Sequence, residues 1–415
     1  MSSLKFWVWL SSAGGVGPVA AAHLIKRFGS PEKVYLADVS EYRSAGGSRA
    51  ADYSKLANKN LDVANKILAS CQELNYRVIT LQDEEYPDRL RNIYDPPLVL
   101  YVRGKLPKID EEAAIAIVGT RNCTPYGISS AENISFLLAQ RGLLVVTGLA
   151  RGIDTAAACG ALRAGGRVVG VIGSGIDVIY PPENSTLFDD VASSGAIISE
   201  YPPGTPALRS NFPARNRILS GLSLGVTVIE APRKSGALIT ASRALEQGRD
   251  VFTLPGNVDA SSCEGSNILL REGAIPILSG EDIVSEYAQL FPDKIDSNID
   301  NKSDSGSIGQ TFIPTNIDEK QQAKSHQNIV KEHRNDKKEI DNKTVVDYID
   351  LDEILSVLTG DEKTVAMTIG TAVMHVDDII IKSNLSTPKV LTALTMLEIN
   401  GYATREGNGK WKVES

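Results

Sequence analysis

Cysteine and histidine are scarce in this sequence of 415 residues, which contains four of each. The cysteines are Cys71, Cys123, Cys159 and Cys263, widely separated and without a Cys-x-x-Cys pair. Disulfide frameworks and zinc sites usually show paired or closely spaced cysteines and histidines. We therefore expect free cysteines, no metal site and a reducing compartment, the cytoplasm.

A long apolar run is also missing. The first residues, MSSLKFWVWLSSAGGVG, hold an apolar stretch too short for a transmembrane helix and no convincing signal-peptide cleavage site. No stretch of about 18 apolar residues follows. We expect a soluble protein that is neither exported nor embedded in a membrane.

Positive charge is not in excess, because the formal net charge is −8 and the sequence pI is near 5.3. This balance argues against a uniformly basic nucleic-acid coat, so any DNA site must be a local patch. Residues 113–280 nevertheless contain twelve Arg and one Lys against thirteen acidic residues. The segment is neutral but biased to arginine, whose planar guanidinium suits bidentate contacts with phosphate.

The same segment lacks residues for nucleophilic catalysis. No histidine lies between residues 113 and 280, so neither a Ser-His-Asp nor a Cys-His arrangement can form within it. Asp154, Asp177 and Glu200 lie near predicted strand ends, where they could bind a metal or act as bases. Helix capping or orientation of arginines is the favoured interpretation. We predict no catalytic residue, no metal and no cofactor.

The chain divides into four predicted segments. Residues 1–85 predict a small helical domain of the helix-hairpin-helix or SAM-like kind, with a Gly15-Val16-Gly17-Pro18 turn. That turn either presents N–H groups to phosphate or only lets two helices pack closely. Residues 86–290 predict the main domain. Residues 291–345 are polar and mixed in charge, which predicts a disordered linker.

The main domain alternates apolar strands with helical segments. The predicted strands are Ile115 to Val118, Leu143 to Thr147, Val168 to Ile172, Ala196 to Ser199, Val226 to Ile229, Val251 to Leu254 and Ala274 to Leu278. This alternation predicts an α/β fold, an extended Rossmann-like parallel sheet covered by helices on both faces. Ligands of such sheets lie outside the carboxyl ends of the strands.

Residues 346–415 predict a winged helix, with a helix beginning near Thr387 and a two-stranded wing around Gly407 to Gly409. From Asp350 to Ser415, ten acidic residues oppose six basic ones, a difference of −4. The presumed recognition helix offers Lys389, with Glu398 opposing it. The remaining apolar side chains of that helix, predicted to be core, are Val390, Leu391, Leu394 and Leu397. We therefore expect a protein-contacting or accessory module, with at most weak DNA contact from the wing.

Small residues and arginines follow several strands of the main domain, where a ligand is expected. For any one of these loops taken alone, a tight turn without a ligand is the favoured interpretation. Gly173-Ser174-Gly175, for example, lacks the third glycine of a dinucleotide fingerprint. Arg233-Lys234 at a small-residue helix start is a stronger anion-site pattern. Four converging loops predict phosphate binding. The candidate DNA-binding and phosphate-binding residues are Gly119, Thr120, Arg121, Gly148, Arg151, Gly173, Ser174, Gly175, Asn211, Phe212, Arg215, Asn216, Arg217, Lys234, Ser235, Gly236 and Thr240.

Phe212 lies beside two of these arginines. It could stack on a base, or it could anchor its loop in the core while one arginine pairs with Glu200 or Glu230. Both interpretations remain open from the sequence.

Five blocks resemble the successive motifs of the DprA/Smf family of DNA-processing proteins. They read IVGTRNCTPYG, VVTGLARGIDTAAACGAL, GVIGSGIDVIYPPEN, ISEYPPGTPALRSNFPARNRILSGLS and VIEAPRKSGALITASRALEQGRDVFTLPGN, in the family's order. The resemblance implies a protein without enzymatic activity that binds single-stranded DNA, protects it and loads RecA recombinase onto it, in natural transformation. It also implies a homodimer, which the apolar residues between Asn267 and Leu278 could form unless the core buries them.

The resemblance also implies roles by position. Arg121 falls on the family's DNA-contacting arginine, and Arg215, Asn216, Arg217, Lys234, Ser235 and Gly236 fall on the blocks that line its phosphate pocket. This chain departs from the pattern after Tyr180-Pro181, where many relatives have a basic residue. Here Pro182 and Glu183 follow, so one phosphate contact is absent or lies elsewhere.

Two other functions fit the sequence less well. A phosphoribohydrolase of the lysine-decarboxylase-like kind needs a Pro-Gly-Gly-x-Gly-Thr-x-x-Glu loop, whereas this chain reads Ala231-Pro232-Arg233-Lys234-Ser235-Gly236 at that place. A nicotinamide-dependent oxidoreductase needs the complete glycine fingerprint. A pure interaction scaffold would differ by not binding oligonucleotide at all.

Overall fold

The computed structural model of the chain describes residues 3–44, 52–296, 360–369, 373–383, 385–399, 402–406 and 410–413. The chain divides into two compact units, Met1–Gly306 and Ser307–Ser415. The predicted linker, 291–345, lies outside the described residues from 297 onward. Its first residues belong to the folded unit, because Ile295 is buried and the Asp296 N–H donates to the Arg141 carbonyl oxygen at 3.0 Å.

Short helices form the beginning of the chain, as predicted. They are α1 (Leu4–Ser12), α2 (Pro18–Phe28), α3 (Pro31–Leu36), α4 (Val39–Ser44) and α5 (Asp62–Glu73). Pro18 takes the first position of α2, where its missing N–H costs nothing. Gly15 has φ +79°, and its carbonyl oxygen accepts from the Asp52 N–H at 2.9 Å. Gly15 therefore joins the turn between α1 and α2 to the segment at Asp52.

Lys59 holds these helices together through an aromatic cluster. Its ammonium lies between 5.1 and 5.4 Å from the ring centroids of Trp9, Tyr35 and Tyr42. It also donates to the Ala37 carbonyl oxygen at 3.0 Å. Burial lowers the pKa of Lys59. Cation–π contacts of this kind contribute about 0.5–2 kcal/mol each.

A nine-stranded sheet follows. Its strands are β1 (Arg77–Thr80), β2 (Val99–Gly104), β3 (Ala114–Val118), β4 (Leu144–Thr147), β5 (Val168–Ile172), β6 (Ala196–Ser199), β7 (Gly225–Val228), β8 (Asp250–Thr253) and β9 (Ile275–Pro276). They are ordered β1-β2-β6-β5-β4-β3-β7-β8-β9. β2 runs opposite to the other eight, and the pairs from β6 to β9 are parallel. The strands β1 and β2 were not predicted from the sequence.

Helices cover both faces of the sheet. They are α6 (Asp88–Arg91), α7 (Pro125–Gln140), α8 (Ile153–Arg163), α9 (Ser185–Ser194), α10 (Asn211–Leu222), α11 (Gly236–Glu246), α12 (Glu264–Arg271) and α13 (Gly280–Tyr287). On β3, Ile115 and Ile117 enter the core on the side of α7 and α8, and Ala114 and Ala116 enter the core on the side of α10 and α11. Side chains alternate along a strand, so a strand buried on both faces needs the unbroken apolar run found here.

The strand order reverses direction beside β3. β4, β5 and β6 continue to one side of it, and β7, β8 and β9 to the other. The helices after β3 and β7 leave on opposite faces of the sheet, so a crevice opens between the carboxyl ends of these two strands.

The second unit is a winged helix, as predicted. Its elements are α14 (Gly360–Ile369), β10 (Met374–His375), α15 (Val376–Ser383), α16 (Thr387–Ile399), β11 (Ala403–Glu406) and β12 (Lys410–Val413). Val390, Leu394 and Leu397 are fully buried, but Leu391 is 47% exposed, so its prediction as core is wrong. Leu391 lies one position beyond Val390, about 100° around the helix, and leaves the buried stripe. The wing turn at 407–409 lies outside the described residues.

Candidate functional site

A cleft of about 610 Å³ opens at the carboxyl ends of β3 and β7. Its walls come from the loops after these two strands, the start of α8 and the first turns of α10 and α11. The predicted site residues that line it are Gly119, Thr120, Arg121, Phe212, Arg215, Asn216, Lys234, Ser235, Gly236 and Thr240. Residues from four loops that are distant in sequence therefore meet at one site.

Three exposed basic side chains line this cleft, from Arg121, Arg209 and Lys234. None of the three forms an ion pair with a described residue, whereas the nearby Arg151 and Arg233 pair with Glu183 and Glu264. Unpaired cations at the mouth of a crevice attract anions. Arg209 was not among the predicted site residues, although the sequence places it two positions before Asn211.

The start of α11 adds backbone donors to the same cleft. The Ser235 hydroxyl accepts from the Ala237 N–H at 3.3 Å and caps the helix. A Cβ added at Gly236 would meet nothing within 4 Å, so the backbone is open to an approaching group. The positive end of the helix dipole and Lys234 act together there, which favours a phosphate.

Phe212 is half-buried and contacts both Arg121 and Tyr180. The Arg121 guanidinium carbon lies 4.8 Å from its ring centroid, and the Tyr180 ring centroid lies 5.7 Å away at an interplanar angle of 51°. These contacts agree with the interpretation in which Phe212 anchors its loop, and stacking on a base stays a prediction. The ring anchors its loop, and it also holds Arg121 at the cleft.

Arg215 is buried and serves the architecture of the cleft floor. Its Nη1 donates to the Gly148 carbonyl oxygen at 2.9 Å and to the Val171 carbonyl oxygen, which joins α10 to the ends of β4 and β5. Its charge faces Asp154. Burial lowers the pKa of Arg215 to about 10 and raises the pKa of Asp154 to about 6, and the opposite charge of each partner opposes the shift.

Gly148 makes room for this buried pair. A Cβ at Gly148 would lie 2.5 Å from Asp154 Oδ2 and 2.6 Å from Arg215 Nη2. Packing alone therefore explains why position 148 is a glycine, without a contact to phosphate.

Polar residues of α10 and α11 tie the cleft walls together. The Asn216 side-chain amide donates to the Gly236 carbonyl oxygen at 3.2 Å and accepts from Arg215 Nε at 3.2 Å. The Thr240 hydroxyl donates to the same Gly236 carbonyl at 3.4 Å. Asn211 begins α10 outside the cleft lining, buried, with its side-chain nitrogen unbonded among the described residues.

Arg217 is not brought to the cleft. Its Nη2 donates to both Glu200 carboxylate oxygens, at 2.7 and 2.8 Å, and its Nε donates to Asp95 at 3.1 Å. The sequence interpretation in which one arginine pairs with Glu200 applies to this residue. Two carboxylates neutralise its charge, so we do not include Arg217 in the proposed site.

The loop after β5 is also outside the cleft lining. Its three predicted residues are buried, with the Ser174 hydroxyl donating to the Val178 carbonyl oxygen at 2.8 Å and the Gly175 N–H to the Thr205 carbonyl oxygen at 2.8 Å. These polar groups, expected to meet phosphate, bond instead to Val178 in the same loop and to Thr205 after β6, and Gly173 packs against Phe212.

Arg151 lies on the rim, beside the lining residue Ala150, and forms its ion pair with Glu183. Glu183 is the acidic residue that stands where a basic one was expected. The hydrogen bond from Arg151 lowers the pKa of Glu183.

Glu230 follows β7 and fixes the loop after β3. Its Oε2 accepts from the Thr124 N–H at 3.0 Å and from the Thr124 hydroxyl at 3.1 Å. A Cβ at Gly127 would lie 2.0 Å from that oxygen, so only glycine fits there. Glu230 therefore acts as a support of the loop rather than as the partner of an arginine.

Across the described ranges, no cluster of three or more His, Cys, Asp or Glu side chains could hold a metal ion. Every helix in those ranges is too short or too polar to cross a membrane. The four cysteines are free, and Cys71 and Cys263 are buried.

Comparison with known proteins decides the family. A model described as DNA recombination-mediator protein A matches residues 77–288, and one described as the DprA winged helix domain matches residues 352–409. The chain belongs to the DNA recombination-mediator protein A family. The DprA/Smf resemblance of its motifs is thereby confirmed.

Two relatives place the chain within the DNA recombination-mediator protein A family. Protein Smf of Synechocystis sp. is 38% identical over 323 residues, which span 76% of this chain and 81% of that protein. DNA processing protein DprA of Streptococcus pneumoniae is 43% identical over 208 residues, which span 50% of this chain and 73% of that protein.

The fold agrees with the solved structure of a family member. The X-ray structure of DNA processing protein A from Streptococcus pneumoniae superposes with a TM-score of 0.60 at 33% identity, covering 68% of this chain and 97% of that one. The predicted fold class, an extended Rossmann-like domain with a winged helix after it, is confirmed.

Proposed function

We propose that this chain binds single-stranded DNA in the cleft between β3 and β7. The observation that supports this most directly is the set of unpaired cations, Arg121, Arg209 and Lys234, around a helix N-terminus. Single-strand binders combine a positive groove with a stacking surface, and the stacked Arg121 and Phe212 supply one. The relatives are named as DNA-processing proteins, a role that requires a DNA ligand.

A titration with fluorescent oligo-dT and with a matching duplex tests this proposal. The single strand should bind more tightly, because its bases are free to stack. Lys234→Ala should weaken binding of the single strand, and the matched control Lys105→Ala should not. Lys105 is exposed and follows β2 at the opposite edge of the sheet, beside Gly195. Equal effects of the two variants would overturn the site.

We further propose that the chain is a binder and not an enzyme. The cleft contains one buried carboxylate, Asp154, and its charge faces Arg215. Residues 231–240, which follow Glu230, lack the glutamate that the catalytic loop of a phosphoribohydrolase would need. Nucleoside monophosphates and labelled oligonucleotide incubated with the protein should remain unchanged, as measured by chromatography. Release of free base would support a phosphoribohydrolase instead.

Delivery of the bound strand to RecA recombinase in natural transformation is the finer part of the proposal, and it rests on the family. As part of this proposal, the protein acts in the cytoplasm and forms a homodimer. Filament assembly by RecA on DNA coated with a single-strand-binding protein should be faster in the presence of this chain. Arg121→Ala should reduce the acceleration in proportion to its loss of DNA binding.

A further inference from the structure

The carboxyl edge of the sheet continues past the cleft on the β8 side. Thr124 is held by Glu230, which follows β7. Two residues later the Tyr126 hydroxyl donates to the Pro255 carbonyl oxygen at 3.4 Å, and Pro255 follows β8. The start of α7 therefore crosses the end of β7 and reaches β8.

The Tyr126 ring remains on the surface at this place. It is 53% exposed, and among the described residues no other ring or cation is stacked on it, unlike Phe212. Val258, in the segment after β8, is 86% exposed at the same edge. A half-exposed ring that is held at its hydroxyl end is suited to stacking on a flat apolar group.

The opposite end of the cleft offers a different surface. On the side of β4 and β5, the rim cation Arg151 is bound to Glu183. The exposed Asp177 adds a second carboxylate, which accepts from the Gly204 N–H at 2.7 Å. Carboxylates repel a phosphate backbone, so this side disfavours a continuing strand.

We propose that a bound single strand leaves the cleft on the β8 side and stacks a base on Tyr126. The inference rests on the proposed function of the cleft and adds a direction to it. Lys234 lies on the loop after β7, the strand between β3 and β8 in the sheet, and we expect it to neutralise a phosphate along this path. From β3 to β8 is two strand spacings, about 10 Å, which an extended backbone covers within a few nucleotides.

Comparing oligonucleotides of two lengths distinguishes binding in the cleft from binding that also reaches Tyr126. An oligo-dT of about 2 nucleotides occupies the cleft without reaching Tyr126, and one of about 16 nucleotides also reaches Tyr126. Tyr126→Ala should weaken binding of the long strand by about 5- to 150-fold, the loss of one stacked base, and leave the short strand unchanged. Tyr126→Phe is the matched control, because it keeps the ring and loses the hydrogen bond to Pro255.

A tryptophan reporter gives a second measurement. The natural tryptophans, Trp7, Trp9 and Trp411, lie on α1 and β12, outside the nine-stranded sheet. Tyr126→Trp should add fluorescence that the long strand quenches and the short strand does not. The wild-type protein supplies the background signal.

The outcomes are distinguishable. If Arg121→Ala weakens both lengths but Tyr126→Ala affects neither, the path over β8 is wrong and the cleft stands. If Tyr126→Ala weakens both lengths equally, Tyr126 supports the fold rather than a base, and the path is also overturned. If Arg121→Ala affects neither length, the proposed function itself fails.

Discussion

The Arg121 guanidinium lies over the Phe212 ring, with its carbon atom 4.8 Å from the ring centroid. An arginine stacked on an aromatic ring keeps its N–H groups directed outward around the edge of the plane. The loop cation is thus held at the mouth of the cleft before any ligand arrives. Preorganisation of this kind reduces the entropy lost on binding.

We predict that Arg121→Ala weakens binding of single-stranded DNA without unfolding the protein, because Arg121 is exposed and forms no ion pair with a described residue. Losing one phosphate contact should lower the slope of log affinity against log salt by about 0.7. Anisotropy titrations at several salt concentrations measure both quantities. Arg163→Ala is the control, since that exposed arginine pairs with Glu132 at the far end of α8. Unchanged affinity and slope would contradict the assignment.

A second prediction concerns Asp154. Its pKa in the folded state is about 6, above the value of 3.8 for an ordinary aspartate, because burial penalises the carboxylate. A carboxyl group whose pKa is higher in the folded than in the unfolded state stabilises the folded state most below about pH 4. This stabilisation is lost as the pH rises through 6. The unfolding free energy of the wild type minus that of Asp154→Asn should therefore fall by up to about 3 kcal/mol between pH 4 and pH 7. Urea unfolding at each pH measures it, and a flat difference would show that Asp154 does not titrate there.

The third prediction is dimerisation at the β9 edge of the sheet. Leu278 is 83% exposed there, Leu269 is buried, and Ile268, Leu270 and Ile275 are partly buried, so the predicted patch divides between surface and core. Leu278→Glu should convert the dimer to a monomer in light scattering at micromolar concentration. Leu245→Glu, on α11 and 61% exposed, is the matched control. If the wild-type protein is monomeric both with and without DNA, the prediction of dimerisation is wrong.

The fourth prediction concerns the winged helix. Lys389, the basic residue near the start of α16, forms an ion pair with Asp361 at 3.2 Å and is not free for a phosphate. Exposed Leu391 and Met396 on the same helix suit a protein contact better than a duplex. Deleting residues 346–415 should leave oligo-dT affinity within about threefold, below roughly 0.7 kcal/mol. Abolished single-strand binding would contradict this accessory role.

The parallel part of the sheet could be predicted because each strand is a buried apolar run followed by a helix. β1 and β2 escaped prediction for a physical reason. They form an antiparallel pair whose connection holds only the four-residue helix α6, and β1 contributes only the residues RVIT. So short a strand has no periodicity that distinguishes it from a loop.

The site was harder to predict than the fold. In the sequence nothing distinguishes Arg121, Arg215 and Arg217, because all three are arginines in motifs that follow strands. The first lies in solvent at the cleft, the second faces the buried Asp154, and the third pairs with Glu200 and Asp95. These partners are distant along the chain, and only the folded arrangement separates a ligand-binding arginine from a structural one.

The pairing of β3 with β7 also sets an order for folding. Ile115 lies opposite Gly225, so 110 residues must be synthesised between the two walls of the cleft. At about 5–20 residues per second, a ribosome needs roughly 5–20 s for that stretch. During this interval β4, β5 and β6 can assemble on one side of β3 while its other edge has no partner. Nascent chains that end before β7 thus present an unpaired strand edge, which makes them targets for chaperones and prone to aggregation.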